Sequence, residues 1–155
     1  MTRGTGSVTI RRASAGDGAT VAEIYLAAIR SELPYLHLVH TDVQVRAWFQ
    51  DYVLPTRRVL LAIAGDEIVG FAAVDQGHLD HLYLRPDRLR SGVGSALLDA
   101  AKGHSPQGLE LFVFQRNAAA RAFYRRHGFV PVAYGSGAAN EEHEPDLRMR
   151  WTPRS

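Results

Sequence analysis

Leu82-Tyr83-Leu84-Arg85-Pro86-Asp87-Arg88-Leu89-Arg90-Ser91-Gly92-Val93-Gly94-Ser95 is the stretch on which the fold of this chain turns. An apolar strand end runs into a loop rich in Arg, and two glycines then open a helix. Glycine lets backbone approach a ligand with no Cβ in the way, and the first N–H groups of a helix are unpaired and sit at its positive end. Such a corner can cradle a diphosphate, with Arg88 and Arg90 adding to the positive field. The same residues also satisfy a plainer reading, a helix N-terminus that uses Gly for a tight turn. Two familiar phosphate loops do not fit. A Walker loop needs Gly-Lys-Ser/Thr, but Gly94 is followed by Ser95 and Ala96. A dinucleotide fingerprint needs a third glycine where Leu97 stands, and a shorter link from strand to helix.

Outward from this corner the pattern is readable on both sides. Upstream, Ser7 to Arg12 reads as a first strand. Val21, Ile24, Tyr25, Ala28 and Ile29 form the apolar face of a helix that ends before Pro34. Thr41 followed by Gln44 matches a capping box and opens a second helix through Trp48 and Phe49 toward Pro55. Val59 to Ile63 and Ile68 to Val74 are β-branched runs joined by Ala64-Gly65-Asp66-Glu67, a hairpin signal, and His78 to Leu84 is a third strand closed by Pro86. Downstream, Gly92 to Lys102 is helical and Leu109 to Phe114 is a strand. Asn117 caps a helix running to His127, and Phe129 to Tyr134 and Leu147 to Trp151 are final strands around a polar loop. The order β-α-α-β-β-β-α-β-α-β-β alternates only after residue 78. It predicts a mixed α/β (α+β) sheet, mostly antiparallel, with one parallel pair near its centre.

The second decisive block is Asn117-Ala-Ala-Ala-Arg-Ala-Phe123-Tyr124-Arg-Arg-His-Gly128-Phe129. With the first block it resembles the signature of the GNAT superfamily of acyl-CoA-dependent N-acyltransferases: strand, loop, Gly-x-Gly, helix, strand, then Asn-x-x-Ala-x-x-Phe-Tyr-x-x-x-Gly-Phe. The strong resemblance covers about residues 78–134, and the element order from residue 7 is also similar to the family's fold.

The resemblance implies a central sheet with a splayed parallel strand pair, helices on both faces, and acetyl-CoA as co-substrate in the splay. By matching positions, Arg90, Ser91, Gly92, Val93, Gly94 and Ser95 would form the pyrophosphate cradle. Leu89 stands where the family usually has Gln or Arg, so Arg90 is expected to take the phosphate contact. Leu82, Tyr83 and Leu84 match the strand whose backbone pairs with the pantetheine arm and lends one N–H to the thioester carbonyl. Asn117 matches an Asn that reaches the cofactor, besides capping its helix. Tyr124 matches the Tyr that protonates the departing thiolate, and it can turn to the cleft if its neighbour Phe123 packs into the core.

Transfer to an amine also calls for a base, because an alkylammonium of pKa about 10.4 is mostly charged at neutral pH. His78 and Asp80 share a strand face and are the expected candidates, whereas His81 is expected to point the opposite way. Some relatives use a carboxylate near the position of His78. Others use a Glu on the next strand, where this chain has Phe112. No metal site is expected: His78 and His81 are spaced to face apart, and Glu141-Glu142-His143-Glu144 reads as a solvated acidic loop. With Asn140 and Asp146, that loop is also placed to attract a cationic amine.

Composition bounds the rest. The chain has 155 residues, 46% hydrophobic and 22% charged, which suits a single globular domain over 1–155 and excludes disordered, collagen-like and coiled-coil classes. With no Cys, thiolate catalysis, disulfides and Cys-based zinc sites are out, which agrees with the direct attack in a ternary complex expected of such a transferase. Eighteen basic residues against sixteen acidic leave +2, and every basic residue except Lys102 is Arg. No basic stripe indicates nucleic acid as a partner. No apolar run approaches the ~20 residues of a membrane span, and Met1 to Gly6 has no apolar core of a signal peptide, so no membrane partner and a cytoplasmic location are expected. The reading is therefore an N-acetyltransferase acting on a small-molecule amine or a peptide amine. The alternative is a catalytically silent acyl-CoA-binding sensor or interaction module. Dimerisation is common among relatives, so a homodimer is admitted.

Overall fold

A computed structural model of the chain describes residues 8–154. The expected first-strand residue Ser7 and the polar segment Met1 to Gly6 lie outside the described residues. The strands are β1 (Val8–Arg12), β2 (Arg58–Ala64), β3 (Glu67–Asp75), β4 (His78–Leu84), β5 (Leu109–Phe114), β6 (Val130–Gly135) and β7 (Asp146–Trp151). The helices are α1 (Gly18–Glu32), α2 (Asp42–Trp48), α3 (Val93–Gly103) and α4 (Ala118–Arg126). The seven strands form one sheet in the order β1-β2-β3-β4-β5-β7-β6, antiparallel throughout except for the β4–β5 pair. Helices cover both faces, as the element order and the resemblance led one to expect.

Local chemistry explains the element ends. At the start of α2 the Thr41 hydroxyl accepts from the Gln44 N–H at 3.2 Å while the Thr41 N–H donates to the Gln44 side-chain oxygen at 2.9 Å, the expected reciprocal cap. The helix does not stop ahead of Pro55. It passes through a π turn (Phe49–Val53) into a last turn (Leu54–Thr56) that contains the proline. The wide turn opens the backbone where a proline ring would otherwise clash with the carbonyl four residues back. Gln76 and Gly77, with φ of 47° and 80°, make the two-residue β3–β4 turn.

Two apolar clusters sandwich the sheet. Leu97, Leu98 and Ala101 of α3, with Tyr124 and Phe129, pack on Leu79, Leu109, Leu111, Leu147 and Met149. On the other face Val21 and Ile24 of α1 and Phe49 and Val53 of the second helical segment pack on Val59, Leu61, Phe71 and Ala73.

The feature that makes a site is the failure of β4 and β5 to stay together. They pair only at His78↔Glu110 and Leu79↔Leu111. The β3–β4 register then slips, with Val74 opposite Leu79 and Ala73 opposite His81, so Asp80 is a bulge residue with no partner on β3. A bulge kinks its strand and increases the local twist, and beyond it β4 leaves β5 to open a V.

Candidate active site

The bulge also overturns one expectation about side-chain direction. A regular strand would put His81 opposite to His78. The unpaired residue shifts the alternation by one, so Leu79, Leu82 and Leu84 all pack on the α3 side. His81 turns to the other side, among Tyr25, Trp48, Phe49, Phe71 and Tyr83, with ring centroids 5.3 to 6.1 Å away. His78 lies on that side too, its ring 5.6 Å from Phe112.

The V between the strands is the floor of a cavity of about 390 Å³. Its walls include Leu82 and Tyr83 of β4, Phe112 and Phe114 of β5, Asn117 and Tyr124 around α4, and Glu32 and Leu33 at the end of α1. Hydrogen-bond parity shows what the β4 backbone offers there. Arg85 N–H donates to Val69 C=O at 2.8 Å, which makes that opposed pair a bonded one. Bonded pairs alternate in an antiparallel ladder, and Tyr83↔Phe71 is the next, so Leu82 and Leu84 aim their N–H and C=O groups away from β3, into the V. An extended chain laid there meets a ready strand edge.

At the end of that edge stands the glycine corner. Gly92 has φ of 87° and caps α3, and Arg90 also has a positive φ, of 62°. The first bond inside α3 runs from Ala96 N–H to Gly92 C=O at 3.1 Å, so the N–H groups of Val93, Gly94 and Ser95 point out of the helix end, where an anion is favoured. The Ser91 hydroxyl is turned back onto the Arg88 carbonyl. The Ser95 hydroxyl meets His127 Nε2 at 3.1 Å. Both hydroxyls are engaged locally, so backbone carries the anion-binding character of this corner.

Phe123 packs against the core cluster and Tyr124 turns to the cavity, as expected. Tyr124 is the buried one, at 9% exposure, and borders the cavity. Phe123 is partly buried and packs beneath Gly94, where an added Cβ would lie 3.4 Å from its ring. Burial, and secondarily the Glu32 charge, push the Tyr124 phenol well above its ordinary range. It remains a neutral proton donor at any ordinary pH. Asn117 caps α4 by accepting from Ala120 N–H at 3.2 Å and also borders the cavity, so the cap and a free side-chain amide coexist.

His78 Nδ1 and Asp80 Oδ1 are 2.8 Å apart, and Arg57 Nε, just past the turn Leu54–Thr56, donates to the other Asp80 oxygen. Burial alone would raise the Asp80 carboxyl, but the hydrogen bonds from His78 and Arg57 outweigh it and hold the pKa below the usual carboxylate value. Asp80 borders the cavity with His78 behind it.

Several site residues were not foreseen. Desolvation pushes the His81 imidazole down to about 4, against a smaller opposing pull from Asp80, and its Nδ1 is buried without a partner. Arg57 was missed altogether. Glu32 had a visible signal, since it lies four residues past Ala28 and continues an otherwise apolar helical stripe into the cavity. Among the described residues no cluster of metal-ligating side chains occurs, and no helix is long and apolar enough to cross a membrane.

A family model described as an acetyltransferase (GNAT) domain matches residues 55–131, the span from the end of the second helix to β6. The chain is 28% identical over 126 residues to the peptidyl-lysine N-acetyltransferase YjaB of Escherichia coli, covering 79% of this chain and 82% of that protein. In fold it is similar to the solution structure of apo YjaB from Escherichia coli, with TM-score 0.78 and 23% identity over 95% of this chain and 99% of the other. It is also similar to the structure of yncA from Salmonella typhimurium with its cofactor acetyl-CoA, with TM-score 0.72 and 18% identity over 96% and 95% of the two chains.

Proposed function

This chain belongs to the GNAT superfamily of acetyltransferases, and on that premise we propose that it moves acetyl from acetyl-CoA to a primary amine by direct attack in a ternary complex. The observation that carries the reading is continuity. One strand edge, free from Leu82 to Leu84, leads from the glycine corner at Gly92 to a cavity walled by Tyr124.

The residues fit acetyl-CoA along that line. The N–H groups of Val93, Gly94 and Ser95, with Arg90, Ser91 and Gly92 shaping the corner, take the pyrophosphate. The β4 edge at Leu82, Tyr83 and Leu84 takes the pantetheine arm as an added strand, and Asn117 meets it from the α4 side. When bound, the co-substrate supplies an acetyl group activated as a thioester. The Leu82 N–H donates to the thioester carbonyl oxygen as charge builds on it, a contribution that preorganised donors make in a water-poor site. Tyr124, neutral and bordering the cavity, gives its phenolic proton to the leaving sulfur. The proton from the attacking amine goes to the Asp80–His78 pair. Asp80 meets it at the cavity wall, and His78 Nδ1–H and Arg57 Nε–H, which donate to its two oxygens, hold that carboxylate in place. A peptide lysine, the acceptor that the Escherichia coli relative is named for, and a free small-molecule amine both offer the required primary amine. A cytoplasmic setting and a single domain over 1–155 suit this reading.

The test is a calorimetric titration with acetyl-CoA. The wild type binds in the micromolar range. Gly92→Asp, which adds a carboxylate to the anion corner at a φ of 87°, loses at least about 100-fold, roughly 2.7 kcal/mol. A folded wild-type protein with no affinity for acetyl-CoA would end the assignment.

A further inference from the structure

The acid of the cavity is unevenly used. Four carboxylates line it, those of Glu32, Asp80, Glu142 and Asp146, and no Lys or Arg does. Asp80 is neutralised by Arg57, and Asp146 receives the Asn140 side-chain amide at 3.3 Å. Glu32 and Glu142 have no ion-pair or hydrogen-bond partner among the described side chains, although neighbouring acids do: Glu141 meets His40 at 3.1 Å and Glu144 meets Arg116 at 3.5 Å. The two free carboxylates come from opposite sides, the end of α1 and the β6–β7 loop, yet both act on one group. After burial and two neighbouring tyrosines, Glu142 and Glu32 raise the pKa of the Tyr83 phenol.

The inner end of the same cavity has a different character. His81 borders it, largely enclosed by aromatic rings, with Nδ1 buried and without a hydrogen-bond partner. The ring is an unpaired polar group facing a space that the protein leaves open. Leu82 follows His81 on β4, and Tyr124 lines the same cavity. A nucleophilic nitrogen must be uncharged to attack, so a neutral inner end suits it, and an unpaired carboxylate there would do harm by holding it as ammonium. The free carboxylates of Glu32 and Glu142 are available to a cation other than the attacking amine.

From this arrangement we infer that Glu32 and Glu142 form a subsite for a second positive charge on the acceptor, so that the preferred substrate is an amine with a cationic group a few atoms away. The inference rests on the transfer reading above. The shared chemistry is dicationic, and it is offered equally by a free diamine and by a peptide lysine next to Arg. A monoamine, or a lysine among neutral residues, leaves the two carboxylates facing solvent.

The experiment compares kcat/KM, followed as thiol released from acetyl-CoA at low ionic strength, in two series. One sets 1,4-diaminobutane against butylamine. The other sets a lysine peptide with Arg flanks against the same peptide with Ala flanks. At least one series shows about a tenfold preference for the dicationic member, as two partly exposed ion pairs would give. The series that shows it identifies the source. The double variant Glu32→Gln/Glu142→Gln brings the ratio to about one, and raised salt lowers it in the wild type. Glu141→Gln removes an equal charge that does not line the cavity and keeps the ratio. Calorimetric binding of 1,4-diaminobutane in the absence of acetyl-CoA separates the two levels of argument. Binding that depends on both carboxylates, with no turnover of any amine, sinks the transfer reading and leaves the subsite standing. Turnover with equal kcat/KM in both series, or a preference that survives the double variant, overturns the subsite.

Discussion

Replacing His81 with Phe should make the protein less sensitive to acid, by an amount that follows from where the imidazole sits. The ring lies among Tyr25, Trp48, Phe49, Phe71 and Tyr83 and holds Nδ1 buried with no partner. Desolvation brings its pKa down from the ordinary 6.5 to about 4. Between those values the unfolded chain takes up a proton that the folded one refuses, so stability is full above pH 6.5 and falls as pH drops toward 4. Linkage at pH 5 gives a loss of about 2 kcal/mol, against about 0.2 kcal/mol at pH 7. Phenylalanine has nearly the same shape, fills an aromatic surround, and removes a buried polar atom that nothing satisfies, an exchange that is close to neutral at pH 7. Urea unfolding of both proteins at pH 7 and pH 5 tests this. The wild type loses about 2 kcal/mol more than His81→Phe over that interval. Equal losses in the two proteins would show that the ring accepts a proton in the folded state. A variant that is several kcal/mol weaker at pH 7 would show that the imidazole is bound where it appears orphaned, and either result refutes the reasoning.

Two further substitutions separate chemistry from scaffold. Tyr124→Phe keeps the ring that packs on Phe129 at a centroid distance of 5.5 Å and removes only the proton donor. Its kcat should fall about 100-fold, with acetyl-CoA affinity within a factor of a few and unfolding within about 1 kcal/mol of wild type, measured by stopped assays and thermal denaturation. Thr41→Ala removes the side-chain acceptor for Gln44 N–H and should cost about 1 kcal/mol, a fall in Tm of roughly 2–4 °C by calorimetry.

What was legible in the sequence was whatever rests on period and on short-range chemistry. The α1 stripe, the Thr41–Gln44 cap, the Gly92 corner and the Asn117 cap depend on residues within a few positions of each other, and each is found where the spacing put it. The splay itself was implied by the family resemblance, and its local cause was hidden because a bulge has no composition. Asp80 is an ordinary polar residue in an alternating strand until Val74 pairs with Leu79 and Ala73 with His81. That one unpaired residue does three things no spacing rule could foretell. It frees β4 from β5, and it turns His81 from the side expected, opposite to His78, to the same side as His78 and into the aromatic box. It also brings Asp80 to Arg57, which follows a π turn that sequence periodicity does not announce either. The site is therefore legible in its glycine corner and illegible in its charge. Which carboxylates are neutralised and which are left over is decided largely by contacts between elements tens of residues apart, such as Arg57–Asp80 and Arg116–Glu144. Removing a pairing partner in this cavity should for that reason change acceptor choice more than removing an unpaired apolar residue of the wall. Charge balance is the one property of the pocket that the backbone corner does not set.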